Sequence, residues 1–162
     1  MRSAFLFDLD GTLIDTSRIE QLRRGRKWKD CVRRLSETSV YPGIGEVLAK
    51  VREAKGKIAV VTTSVSFYAE NALRFHKLPY DCLVAYHDVP RRKPAPDAYL
   101  KAIHLLGASK GAAIGIGDDA VDADALTAAE IMSVAAAWNS NYHAHAQWDL
   151  VAKLPSDVLK IR

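Results

Sequence analysis

Short apolar runs recur along this chain with helical stretches between them, and that alternation limits the possible folds more than any other feature. The runs fall at 4–7, 58–61, 82–86, 112–116 and 132–136, and they are apolar almost throughout rather than on every second residue. A strand with one wet face alternates; a run apolar along its length is buried on both sides. Ile44, Val47, Leu48 and Val51 set a helical spacing over 44–54, with Pro42-Gly43 at its start. Further helices are predicted over 67–76, 96–106 and 123–130, and a last short one over 149–154. The fold class is therefore α/β: a doubly wound, three-layer parallel sheet of about five strands with right-handed crossovers. In such sheets, sites form at the carboxyl ends of the strands.

Residues 16–41 break the rhythm. Ile19, Leu22, Trp28, Val32 and Leu35 suggest one or two short helices there, broken at Gly25, as an insertion after the first strand. The length, 162 residues, suits a single core domain over 1–162 carrying this insertion. The net charge of +4 is concentrated in it: Arg18, Arg23, Arg24, Arg26, Lys27, Lys29, Arg33 and Arg34 face only Glu20 and Asp30, so the rest of the chain is net negative. A basic segment over 18–34 makes nucleic acid or another polyanion a candidate partner. It reads equally as a solvated helix face whose long side chains cover apolar neighbours. No apolar run reaches the roughly 20 residues needed to span a bilayer. The start turns acidic at Asp8, too soon for a signal peptide. Cys31 and Cys82 have no metal-ligand spacing. A reducing cytoplasm, away from membranes, is the expected setting, and the sequence sets no oligomeric state.

The first apolar run ends in Asp8-Leu9-Asp10-Gly11-Thr12-Leu13-Ile14-Asp15. Carboxylates at i and i+2 on an extended backbone point the same way, and two such charges repel unless a cation or a shared proton relieves them. Gly11 permits a sharp turn directly afterwards. The second strand run ends at Thr62, followed by Thr63; Lys93-Pro94-Ala95-Pro96-Asp97 precedes a helix; Gly117-Asp118-Asp119-Ala120-Val121-Asp122 follows the fourth run. In order and strand position these four motifs resemble those of the haloacid dehalogenase superfamily, in its phosphatase branch, over nearly the whole chain. The resemblance implies a Rossmann-like core and a Mg²⁺-dependent phosphoric monoester hydrolase working through an aspartyl-phosphate.

It also implies roles. Asp8 is the nucleophile and Asp10 the general acid and base. Lys93 and Thr62 hold phosphoryl oxygens, and Gly11, Thr12, Thr63 and Arg92 join them in substrate binding. Backbone N–H groups after Asp10 add further donors. The metal set is Asp8, Asp10 through its carbonyl, Asp118 and Asp122, with Asp122 better suited to orienting water or Lys93 than to direct ligation. Asp119 is left as a ligand or a helix cap.

In this superfamily the segment after the first motif often carries a helical cap that reads the substrate. Here it is a short basic remnant over 16–41, which suggests an open site and a broad or macromolecular substrate such as a nucleic-acid end or a phosphoprotein. The alternatives are a small-metabolite phosphatase of the phosphoglycolate-phosphatase type or a non-catalytic phosphate-binding module. A phosphomutase fits less well without a cap to exclude water. His143-Ala144-His145 reads as loop rather than a metal pair, and Trp138 and Trp148 as packing or rim residues.

Overall fold

The computed structural model describes residues 2–161. Its central strand, β1 (Ala4–Phe7), is wholly buried, with Phe5 and Phe7 in one apolar cluster and Ala4 and Leu6 in another on the opposite face. That two-sided burial is the reason the run carries no polar residue. Strands β4 (Lys57–Val61), β5 (Cys82–Val84), β6 (Ala113–Gly117), β7 (Met132–Ala136) and β8 (Leu150–Ala152) join it in a parallel sheet of order β5-β4-β1-β6-β7-β8. Two short strands, β2 (Ile14–Asp15) and β3 (Ser39–Val40), form a separate antiparallel ribbon.

The helices divide between the faces. α3 (Ile44–Glu53) and α4 (Ser66–Phe75) cover the Phe5/Phe7 side, burying Ile44, Val47, Leu48 and Val51 from one and Tyr68, Ala69, Ala72 and Leu73 from the other. α5 (Asp97–Leu106) and α6 (Ala120–Ala129) cover the Ala4/Leu6 side with Tyr99, Ala102, Ala125 and Leu126. Because β1 pairs with β4 on one side and β6 on the other, chain direction across the sheet reverses beside it. This opens a crevice at the end of β1, where Asp8 emerges.

The sheet has six strands, not about five. Residues 149–154, read as a helix, contain β8, which pairs with β7 through Val134↔Leu150, Ala135↔Val151 and Ala136↔Ala152. So short an apolar run fits either period. The decision is tertiary: β7 has an unpaired edge, and the Asp149 carboxylate accepts from both the backbone N–H (2.7 Å) and the hydroxyl (3.0 Å) of Ser133, docking the strand start. A 3-10 helix follows over Pro155–Lys160 and packs on α3. The helix expected over 123–130 begins at Ala120 because Asp119 caps it, its carboxylate accepting from Val121 N–H while Asp122 accepts from Asp119 N–H.

The insertion folds into two short helices, α1 (Glu20–Arg24) and α2 (Trp28–Arg33), separated at Gly25 as expected and flanked by 3-10 turns. It does not project into solvent. α2 packs on α4, Cys31 is fully buried, and the Trp28 ring lies 5.5 Å from that of Tyr68. Both cysteines are free thiols, and no helix among the described residues is long and apolar enough to cross a membrane.

Candidate active site

The ends of β1, β4 and β6 converge on a cavity of about 530 Å³ lined by Asp8, Asp10, Thr62, Thr63, Lys93, Asp118 and Asp122. At its floor lies Lys93, whose ammonium donates to Asp8 Oδ1 (2.9 Å), Asp122 Oδ1 (2.6 Å) and the Val61 carbonyl (2.7 Å). The side chain is 2% exposed. Burial alone would discharge this amine, but the two carboxylates hold it well above its ordinary value. Tyr99 closes the floor, its hydroxyl 3.2 Å from Asp122 Oδ1 and its ring 5.2 Å from the ammonium.

Oxygens of Asp8, Asp118 and Asp122 lie within 4.8 Å of one another. Burial and the neighbouring carboxylates Asp122, Asp118 and Asp10 push Asp8 well above the carboxylate range, against the pull of Lys93. Asp118 is pushed up to about 6, chiefly by burial and Asp122. Three carboxylates against one ammonium leave an uncompensated negative charge among hard oxygen donors, which fits a divalent cation. The fit is uneven. Asp118 and Asp8 have oxygen lone pairs to give, whereas Asp122 accepts from Lys93, Tyr99 and Asp119 N–H. Asp122 is thus the residue that aims Lys93 and caps α6. Asp119 is a cap, with the His143 imidazole 3.7 Å from its carboxylate at the cavity rim.

Asp10 lies outside the Asp8/Asp118/Asp122 cluster. Its carboxylate accepts from Tyr68 Oη (2.7 Å) and Ser64 Oγ (2.9 Å), and Arg23 Nε stands 3.2 Å away, close but not aligned as a hydrogen bond. Arg23 is anchored in turn by donating to Thr16 Oγ1 at 2.9 Å. The two acids that an extended backbone would aim together therefore take different partners, and the chain turns directly after them at Gly11. That glycine has φ +86°, and a Cβ on it would stand 2.4 Å from Asp118 Oδ2, so only glycine fits between the two acidic loops. Gly117 is constrained by proximity alone: a Cβ there would meet Asp122 Cγ at 2.5 Å.

Several substrate-binding expectations need correction. Thr12 is fully buried, and its hydroxyl donates to Asp118 Oδ1 at 2.9 Å, so it holds a carboxylate and does not face the cavity. Arg92 is outside the cavity; its Nε donates to the Tyr86 carbonyl and its guanidinium lies 4.1 Å from the centre of the Tyr86 ring, which Arg26 also approaches at 4.8 Å. The N–H groups of Gly11 and Thr12 are spent inside the turn on the carbonyls of Ile14 and Leu9. Thr63 and Gly11 do line the cavity. Thr62 also lines it, at the end of β4, its oxygen accepting from Ser64 N–H at 3.0 Å.

Sequence reasoning missed Arg23, Ser64, Tyr68 and Asn139. Ser64 follows the Thr62-Thr63 pair by one residue, so strand-end position was an available signal for it. Asn139 donates to the Gly11 carbonyl (3.0 Å) and to Asp118 Oδ2 (3.2 Å), and its neighbour Trp138, read as packing or rim, donates from Nε1 to the Thr12 carbonyl (2.9 Å). The insertion forms a wall of the site rather than leaving it open: Thr16, Ser17, Glu20, Arg23 and Arg24 all line the cavity.

Fold and site together define a phosphatase-type hydrolase built on a Rossmann-like sheet. The chain belongs to the haloacid dehalogenase-like hydrolases, whose family model matches residues 19–136. Among curated relatives, pyrophosphatase PpaX of Bacillus cereus AH820 is 26% identical over 96% of this chain and 94% of its own. Among solved structures, CbbY from Rhodobacter sphaeroides in complex with phosphate superposes with a TM-score of 0.84 over 98% of this chain and 96% of that one, at 20% identity. A predicted phosphoglycolate phosphatase from Haemophilus somnus 129PT gives 0.82 over 98% and 97%, at 17% identity. These two structural likenesses bear on the fold alone.

Proposed function

We propose that this protein is a Mg²⁺-dependent phosphatase for small phosphorylated metabolites, with residues 16–41 as its substrate-reading cap. Asp8 attacks phosphorus and takes the phosphoryl group while the bond to the leaving oxygen breaks. Asp10 gives that oxygen its proton, then removes one from the water that cleaves the aspartyl-phosphate and frees phosphate. Lys93 and Thr62 hold the phosphoryl oxygens, and Asp122 keeps Lys93 aimed. Mg²⁺, held by Asp8, Asp118 and the Asp10 carbonyl, would offset the repulsion between a carboxylate nucleophile and an anionic phosphate.

The observation that carries the small-molecule reading is that the insertion walls the cavity with Thr16, Ser17, Glu20, Arg23 and Arg24; its bases are also partly paired. Arg23 faces Asp10, Arg24 pairs with Glu20, Arg33 with Asp30 and Arg34 with Glu37, while Arg26 rests on Tyr86. The exposed pairs are weak and offset only part of the segment's charge, and Arg18, Lys27 and Lys29 make no ion pair among the described residues. It is thus the walled cavity, not the pairing, that disfavours nucleic-acid and phosphoprotein substrates. The first turn of the insertion meanwhile narrows the cavity. The name of PpaX makes pyrophosphate one compound to try, and a reducing cytoplasm suits the free thiols Cys31 and Cys82.

The test is phosphate release from p-nitrophenyl phosphate, phosphoglycolate, sugar phosphates, pyrophosphate and a 5′-phosphorylated oligonucleotide, with and without Mg²⁺. Turnover of small compounds is expected to depend on Mg²⁺ and to fall by on the order of 10⁴-fold in Asp8→Asn. Equal release by Asp8→Asn would remove the nucleophile. Preferential cleavage of the oligonucleotide, fading steeply with salt, would restore the macromolecular reading.

A further inference from the structure

We propose that Asn139, in the loop after β7, is a positioning residue that fixes the carboxylate of Asp118 for metal binding; the inference rests on the Mg²⁺ role given above. The amide reaches both acidic loops at once. Nδ2 donates to Asp118 Oδ2 at 3.2 Å and to the Gly11 carbonyl at 3.0 Å, while Oδ1 accepts from Asn141 N–H at 2.9 Å. That last bond fixes which end of the amide faces the site, because a backbone N–H can meet only the oxygen.

Thr12 Oγ donates to the other carboxylate oxygen, Asp118 Oδ1, at 2.9 Å, and His143 N–H donates to the Asp118 carbonyl at 2.7 Å. Each oxygen of the carboxylate thus has one donor and keeps a lone pair. Neither partner is charged, so they orient the group without competing for a cation. Outer partners of this kind typically change metal affinity by about 10–100-fold.

Trp138 serves as an internal control. Its indole N–H holds the same loop to the Thr12 carbonyl at 2.9 Å and makes no bond to Asp118. If the loop mattered only as packing, loss of either bond would have similar consequences. If Asn139 acts through the carboxylate, its loss reaches the metal far more than loss of the Trp138 bond, which touches Asp118 only by way of Thr12.

The experiment is calorimetric titration of the substrate-free full chain with Mg²⁺, alongside kcat as a function of Mg²⁺. Asn139→Ala is expected to raise the Mg²⁺ Kd about tenfold or more, with most of kcat recovered at saturating Mg²⁺, while Trp138→Phe stays within about twofold of wild type. Asn139→Ser, too short to span both loops, gives the same reading should alanine unfold the loop. Wild type that binds Mg²⁺ together with an Asn139 variant of unchanged Kd overturns this inference alone. A wild type that takes up no Mg²⁺ overturns both this inference and the metal-dependent function.

Discussion

Asp8 and Asp10 leave the same strand two residues apart, yet they belong to different halves of the cavity. Asp8 faces inward to Lys93, Asp122 and Asp118, supplied by the loop before α5, the first turn of α6 and the loop after β6. Asp10 faces Ser64 and Tyr68, at the start of α4, and Arg23, from the insertion. The inner half is thus complete within the sheet and its own loops. The outer half is assembled partly by a segment that could change without disturbing the sheet. In the proposed mechanism the nucleophile Asp8 is thus a property of the core, while the proposed general acid Asp10 is tied to the insertion proposed to read the substrate.

The sharpest way to break that comparison is Lys93→Met. It leaves Asp8 and Asp122 buried without their cation, a loss of about 3–5 kcal/mol for such pairs. The Mg²⁺-free melting temperature should fall by on the order of 10 °C, and scanning calorimetry checks it. A melting temperature within a degree or two of wild type would mean that the inner half does not depend on its lysine.

A smaller effect should appear with pH. Asp118, raised to about 6, binds its proton more tightly in the folded Mg²⁺-free protein than in the unfolded chain, where a value near 4 applies. Stability contributed by that proton is present below pH 4 and is lost as pH rises through about 6. Between pH 5 and 7, the Mg²⁺-free wild type should lose a few degrees of melting temperature relative to Asp118→Asn, and Mg²⁺ should restore them only in wild type. Parallel curves for the two proteins would place the strain elsewhere.

The mildest perturbation is Arg23→Met, on the outer side. Asp10 keeps Ser64 and Tyr68 but loses the cation beside its buried carboxylate, so stability should fall by about 1–2 kcal/mol, less than where the fully buried Lys93 is removed. Mg²⁺ affinity should stay unchanged while kcat falls about tenfold through loss of acid positioning. A matching loss of Mg²⁺ affinity would show that the halves are coupled.

These two halves also differ in how far they can be read from sequence. Asp8, Lys93 and Asp118 stand beside apolar runs or a helix start, so local pattern gives their place and the family resemblance implies their chemistry. Tyr68 looks like one more apolar residue on α4, and Arg23 like one base among eight. Their shared partner Asp10 is known only once α1 and α2 are packed together and α2 on α4. Asn139 lies in a stretch without periodicity, and it meets Asp118 because β7 runs beside β6. For the fold the same distinction holds. Buried strands and amphipathic helices declare themselves, whereas β8 depends on an edge that only the assembled sheet possesses, and Thr12 and Arg92 are turned from the cavity by neighbours no spacing rule contains.

The small ribbon of β2 and β3 gives the insertion an architectural independence. Ile14 pairs with Val40 and Asp15 with Ser39, and Tyr41 N–H reaches the Leu13 carbonyl at 3.1 Å, so chain entry and exit sit side by side. Whatever lies between is a module clipped to the catalytic platform at a fixed port. Doubling the length of such a loop costs only about 0.6 kcal/mol in closure entropy, so the segment can grow at this port while strand registry and the Asp8–Lys93–Asp122 floor remain as they are, provided a partner for Asp10 is kept.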